Sequence, residues 1–176
     1  MVQEGFSRPE QILKQLDVCD QMEVADFGCG HGYFSLPLAK MVPFGKVYAI
    51  DVVKETLEAV ESKARLESVQ NIKTIQANLE ISGGSKLKNS SIDLVLLRNI
   101  LYQSKKKEEI LMEAGRVLRK GGQMILIEWK PNSPLAPKES YLFSKEEAIQ
   151  LISQQGLGIK KELEIDQHHY AVVFKR

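Results

Sequence analysis

Val24-Ala25-Asp26-Phe27-Gly28-Cys29-Gly30-His31-Gly32-Tyr33-Phe34 decides the fold. A short apolar strand, Glu23–Phe27, runs into three alternate glycines and then into a helix read over Tyr33–Met41. Glycine at a strand end admits positive φ and lets a ligand approach the main chain. The helix that follows offers unpaired N–H groups and the positive end of its dipole. In an open α/β sheet this is where a ligand sits, outside the carboxyl ends of the strands.

Working outward, strand-length apolar runs alternate with segments of helical period. Upstream, Ser7 with Glu10 three residues later and Pro9 in the first turn predicts a capped helix ending near Leu16. Downstream come a strand at Lys46–Ile50, a helix at Lys54–Glu67, a strand at Ile72–Gln76 and a serine- and glycine-bearing loop at Ile81–Ser91. Ile92–Leu97 is apolar at nearly every position, as a strand covered on both faces must be. A helix at Lys105–Leu118 closes at Gly121-Gly122, and Gln123–Glu128 is a fifth strand. After a connector over Pro131–Phe143, Ser144 and Glu147 cap the helix Lys145–Gln154. Leu157–Ile165 and His169–Lys175 then form a hairpin. Regular β-α alternation implies a parallel sheet with helices on both faces. The hairpin adds at least one antiparallel strand.

The whole chain, residues 1–176, reads as one domain, with residues 1–20 as an N-terminal helix or lid. Lys and Arg total 24 against 23 Asp and Glu, a balance that argues against a dedicated nucleic-acid or membrane-surface binder. Cys19 and Cys29 match no metal or redox spacing, and no ligand set for a metal is visible. No secretory leader or membrane span is apparent, so the expected location is the cytoplasm.

Asp51 closes the second strand, at the spacing (about 20 residues) where a carboxylate accepts from ribose hydroxyls in nucleoside-binding sheets. Strand, glycines, helix, strand and acid within one unit point to a nucleoside-containing ligand. The third glycine is Gly32, and Tyr33 follows it, so the turn is not the dinucleotide pattern that a nicotinamide oxidoreductase would carry.

At these residues the sequence resembles the class I S-adenosylmethionine-dependent methyltransferases. Asp26 through Gly32 is similar to their first motif and Asp51 to their second. The resemblance implies a Rossmann-like, doubly wound, mostly parallel seven-stranded sheet with an antiparallel strand in the C-terminal hairpin. It implies S-adenosyl-L-methionine as cofactor. The backbone of Gly28, Cys29, Gly30 and Gly32 would pass beneath its methionine and ribose parts. Asp26 would orient the turn and the methionine ammonium, and Asp51 would take both ribose hydroxyls. Val52 would pack on adenine, with Asn78, where the family often has an acid, and the Leu79 N–H reading its edge.

The fourth strand ends Leu97-Arg98-Asn99-Ile100-Leu101-Tyr102, without the Pro-Pro-aromatic element of enzymes that methylate amino groups of nucleobases. Arg98-Asn99, the run Arg116–Gly122 and Ile127-Glu128-Trp129-Lys130-Pro131 are similar to the ubiquinone/menaquinone C-methyltransferases. A small-molecule acceptor follows from that branch. Arg98, Asn99 and Tyr102 are the candidate catalytic residues, with Arg98 also beside the methionine part and Glu128 and Trp129 lining the acceptor pocket. His168 and His169 are expected to face solvent, and Phe6 and Arg8 to belong to a lid. Lys105-Lys106-Lys107-Glu108-Glu109 reads as a solvated helix start. The competing readings are an RNA or protein acceptor, and a domain that binds the cofactor without chemistry.

Overall fold

Strand β1 (Glu23–Phe27) shows why both sides of the sheet are covered: Val24 enters one apolar core, while Ala25 and Phe27 enter the other. The computed structural model describes residues 7–138 and 141–176. Around β1 the chain lays down α1 (Pro9–Leu13), α2 (Ser35–Met41), β2 (Lys46–Asp51), α3 (Lys54–Leu66), β3 (Ile72–Gln76) and β4 (Ile92–Arg98). A 3₁₀ turn (Leu101–Gln103), α4 (Lys107–Val117), β5 (Leu118–Trp129), α5 (Lys145–Ser153), β6 (Gly158–Leu163) and β7 (His169–Lys175) follow.

The strands form one seven-stranded sheet in the order β3-β2-β1-β4-β5-β7-β6. β1 pairs in parallel with β2 and β4, and β7 is antiparallel to both β5 and β6. The chain steps outward through β2 and β3, then returns to start β4 on the other side of β1. That reversal makes the carboxyl ends of β1 and β4 the topological switch point, where open α/β sheets bind ligands.

Helices α4 and α5 cover one face through Ile110, Leu111, Ala114, Ala148 and Ile152, packed on Val95, Leu97 and Val172. On the other face Ile12, Leu13, Leu38 and Ala39 of α1 and α2 pack on Leu94, Leu96, Ile125 and Val173. β4 sends large side chains both ways, so its continuous apolar run is the direct consequence of burial on two faces. Each such side chain contributes about 1.5–3 kcal/mol.

Four local expectations are corrected. Ser7 does not cap α1: Arg8 holds the N-cap position, and the buried Ser7 hydroxyl donates instead to the Ile165 carbonyl. A long-range partner in the interior outcompetes the local cap. α2 begins at Ser35, because residues through Phe34 are still turning out of the glycine loop. α4 begins at Lys107, and the segment before it includes the 3₁₀ turn. β5 starts at Leu118 and carries Gly121-Gly122 within it: its register against β4 jumps from Ile92–Leu118 to Leu94–Gln123. The bulged residues are held by the C-terminus, with the Gly121 N–H donating to Arg176 O at 2.9 Å and the Arg176 N–H to Gly122 O at 3.0 Å.

No helix lies between β3 and β4. Glu113 of α4 pins that loop, accepting from the backbone N–H of Gly83 (2.9 Å) and Ser85 (3.0 Å) and from Arg116 Nε (2.8 Å).

Candidate active site

The glycine turn leaves β1 with Gly28, Gly30 and Gly32 at φ of 72°, 50° and 79°. The N–H groups of Gly28 and Cys29 both donate to the Ile50 carbonyl, at 2.8 and 3.0 Å, so the turn folds back on the end of β2. A β-carbon on Gly30 would meet nothing within 4 Å, because this residue faces an open cleft. On Gly32 it would lie 3.0 Å from Val60 Cγ2, so that glycine serves the packing of α3.

Asp51, at the end of β2, clasps the same turn. One carboxylate oxygen accepts from the Gly30 N–H at 2.9 Å and the other from the Val53 N–H at 3.0 Å. Each oxygen keeps lone-pair capacity for a further donor. Val52 is exposed beside it. Across the cleft the Asn78 side-chain oxygen accepts from the Glu80 N–H at 2.9 Å, an Asx turn that fixes the loop after β3. The cleft has a volume of about 560 Å³, and its walls include Gly28, Gly30, Asp51, Val52, Asn78, Leu79 and Asn99.

Five expected residues stand apart from those walls: Gly32, which packs on α3, and Asp26, Cys29, Tyr102 and Arg98. Asp26 is buried beneath the turn and accepts from Ser35 Oγ. Burial pushes its carboxyl up to about 6, with the Ser35 hydrogen bond opposing. The Cys29 side chain packs into the core with Ala49, Leu57 and Val60, and burial pushes its thiol up, away from the thiolate form. Tyr102 lies on the 3₁₀ turn, half-buried. Arg98 is half-buried, its guanidinium 5.3 Å from the Tyr33 ring centroid and 5.6 Å from that of Phe34. Burial lowers its pKa, and among the described residues no carboxylate comes within ion-pair distance of it. Phe6 lies outside the described residues, and Arg8 is exposed.

Asn99 occupies the left-handed region at φ 52°, which asparagine tolerates better than most residues. Its Nδ2 lies 3.2 Å from His169 Nε2, and its buried Oδ1 has no hydrogen-bond partner among the described residues. The next two N–H groups, of Ile100 and Leu101, donate to Glu128 Oε1 at 2.9 and 2.7 Å. Glu128 is buried, which pushes its carboxyl up to about 7 against those backbone hydrogen bonds.

The expectation that His168 and His169 face solvent is overturned: both are buried. Asp166 holds them there. Its Oδ1 accepts from the N–H of His168 and of His169, each at 2.8 Å, and His169 Nδ1 lies 3.0 Å from the same oxygen. Trp129 stacks on the His169 ring, with centroids 4.1 Å apart. The Asp-x-x-His spacing was the available signal, and the hairpin turn masked it. Among the described residues there is no cluster of three or more metal-ligating side chains, and no helix long and apolar enough to cross a membrane.

A glycine turn at the switch point, clasped by an acid from the next strand, is a nucleoside site in outline. Residues 19–168 match the family described as a methyltransferase domain. The chain belongs to that family. It is 27% identical over 137 residues to a demethylmenaquinone methyltransferase of Lactococcus lactis subsp. lactis, covering 77% of this chain and 53% of that protein. A shorter match, 41% over 71 residues, is to a 23S rRNA (uracil(1939)-C(5))-methyltransferase of Aliivibrio fischeri, covering 40% of this chain and 16% of that protein. The chain thus spans about half the length of the first of these relatives. A SAM-dependent methyltransferase from Aquifex aeolicus superposes with a TM-score of 0.86 at 23% identity, covering 97% of this chain and 90% of that one. A geranyl diphosphate methyltransferase in complex with SAM superposes at 0.79 with 14% identity, covering 96% and 84%. The methyltransferase domain described here therefore has the fold of S-adenosylmethionine-dependent methyltransferases.

Proposed function

We propose that this protein is an S-adenosylmethionine-dependent methyltransferase that acts on a small-molecule acceptor. One relationship carries the reading: Asp51 binds the Gly30 N–H at the point where that glycine opens onto the cleft. This fixes a carboxylate beside an exposed stretch of main chain, the arrangement a ribose and its neighbours require. The free space at Gly30 and the cleft of about 560 Å³ fit the cofactor.

When bound, S-adenosylmethionine supplies an electrophilic sulfonium methyl. The residues of this chain bind and align. Asp51 accepts from the ribose hydroxyls, while Val52 and Leu79 border the adenine. Asn78 offers its Nδ2 and its remaining lone pair to the base edge. Arg98, which has no carboxylate within ion-pair distance among the described residues, takes the carboxylate of the methionine part. Asn99, Ile100 and Tyr102 form the side toward the acceptor, with Glu128 accepting from the Ile100 and Leu101 N–H groups beneath and Trp129 stacked on His169. Alignment of this kind supplies roughly 7–11 kcal/mol. We take residues 1–176 as one domain that works in the cytoplasm without membrane or nucleic-acid partners, with α1 packed into its core. The small-molecule acceptor is supported by the match to a demethylmenaquinone methyltransferase and by the near-neutral charge of +1.

The test measures S-adenosylhomocysteine release with pools of small phenols, quinols and carboxylic acids, beside RNA and protein pools. Turnover with a small-molecule pool is expected. Turnover with RNA or protein alone would replace the acceptor class, and binding without turnover in any pool would favour a non-catalytic domain.

A further inference from the structure

Asn99 lines the cofactor cleft from a left-handed backbone conformation, and a buried histidine holds its side chain. The inference rests on the cofactor reading above and goes beyond it. Asp166 contributes a carboxylate that can only accept, so the proton of a neutral His169 ring sits on Nδ1, between Nδ1 and Asp166. Nε2 is then an acceptor, and the group 3.2 Å away must be the Asn99 NH₂. The amide is thereby given one orientation, with Oδ1 turned away from the histidine. Trp129, stacked on the ring at 4.1 Å, fixes its plane.

We infer that Asp166 and His169 are positioning residues for the cofactor site, acting through Asn99. They do not touch the cofactor; their side chains are 4% and 1% exposed. They set the orientation of the Asn99 amide behind the cleft wall, with Nδ2 on the histidine and Oδ1 buried, and steady a residue whose backbone is left-handed. Without the histidine, the amide of Asn99 loses its anchor, and the turn from Asn99 to Leu101 is free to relax.

A histidine that merely fills space would not show the same coupling. The experiment is a double-mutant cycle read by calorimetric titration of the purified protein with S-adenosylmethionine. Asn99→Gly removes the amide at a backbone conformation glycine adopts without strain. His169→Phe keeps a ring against Trp129 but no acceptor. His169→Phe should weaken binding about tenfold in the wild-type background and have no further effect in Asn99→Gly. His169→Gln, whose carbonyl can stand in for Nε2, should restore most of the affinity, and it carries the test if the phenylalanine variant does not fold.

Acidity gives a second reading. Burial holds His169 below the ordinary imidazole range; Asp166 opposes this, while Arg98 and His168 add to it. Protonation would place a donor against the Asn99 NH₂, so affinity should fall with acid more steeply in wild type than in His169→Gln. Asp26 and Glu128 titrate nearby in both proteins, so the difference between the two profiles isolates His169. An equal loss from His169→Phe with and without the Asn99 side chain would overturn the inference, as would identical acid profiles. A folded wild-type protein that binds no S-adenosylmethionine would overturn the cofactor reading itself, and this inference with it.

Discussion

The side chain of Ile100 occupies the space a β-carbon on Gly28 would need: its Cδ1 would lie only 2.7 Å from that carbon. Gly28 also sits at φ 72°. Gly28→Ala should therefore cost about 1–3 kcal/mol in backbone strain alone and push Ile100 out of the cleft wall. Urea unfolding and titration with S-adenosylmethionine would both show the loss. Adding Ile100→Ala should relieve the clash but leave the strain, so stability should recover only in part.

Glu113 makes the loop between β3 and β4 depend on pH. Burial alone would raise its carboxyl. The hydrogen bonds from Arg116, Ser85 and Gly83 prevail and hold it at about 2, against an ordinary value of 4.5. A depressed folded pKa contributes stability above about 4.5, and that contribution fades as pH falls toward 2. Glu113→Gln should cost about 3 kcal/mol at pH 7. The gap between the two proteins in urea should close progressively below pH 4.5.

Glu128 behaves in the opposite sense. Its folded pKa, pushed up to about 7 by burial, exceeds the ordinary 4.5. Ionising it in the unfolded chain is easier than in the folded one, so wild type loses stability as pH rises from 4.5 to 7. Glu128→Gln keeps an oxygen for the Ile100 and Leu101 N–H groups without that loss. It should match wild type near pH 4 and exceed it by about 3 kcal/mol at pH 8, at 1.36 kcal/mol per unit. Urea midpoints at the two pH values test this.

Arg98 should discriminate between ligands. Arg98→Met keeps the stem against Tyr33 and Phe34 but removes the cation. Affinity for S-adenosylmethionine should fall about tenfold, as for loss of one charge-assisted contact. Binding of 5′-methylthioadenosine, which lacks the carboxylate, should be unchanged. Equal losses for both ligands would remove Arg98 from the carboxylate site.

The sheet was legible because its signals are local and repeated. The apolar run of β4, the glycines after β1 and the final hairpin each follow from burial or turn chemistry within a few residues. Asp51 was legible because its distance from the turn is set by one βα unit. Contacts between distant segments were not. Ser7 reaches Ile165, and Asn99 reaches His169; neither pairing leaves a periodic trace. The two histidines look like turn residues until Asp166 is seen to gather their N–H groups inward. The β5 bulge escaped for a similar reason: Gly121-Gly122 reads as a helix stop, and only the C-terminal Arg176 shows that the strand continues through it.

The central claim is that Asp51 and the glycine turn form a cofactor site, and titration calorimetry of wild type and Asp51→Ala with S-adenosylmethionine tests it most directly. The account predicts saturable one-site binding by wild type that weakens on the order of 10–100-fold in the variant, the effect of losing charge-assisted hydrogen bonds. A folded wild-type protein that takes up no S-adenosylmethionine, or a variant that binds it equally well, would contradict the account.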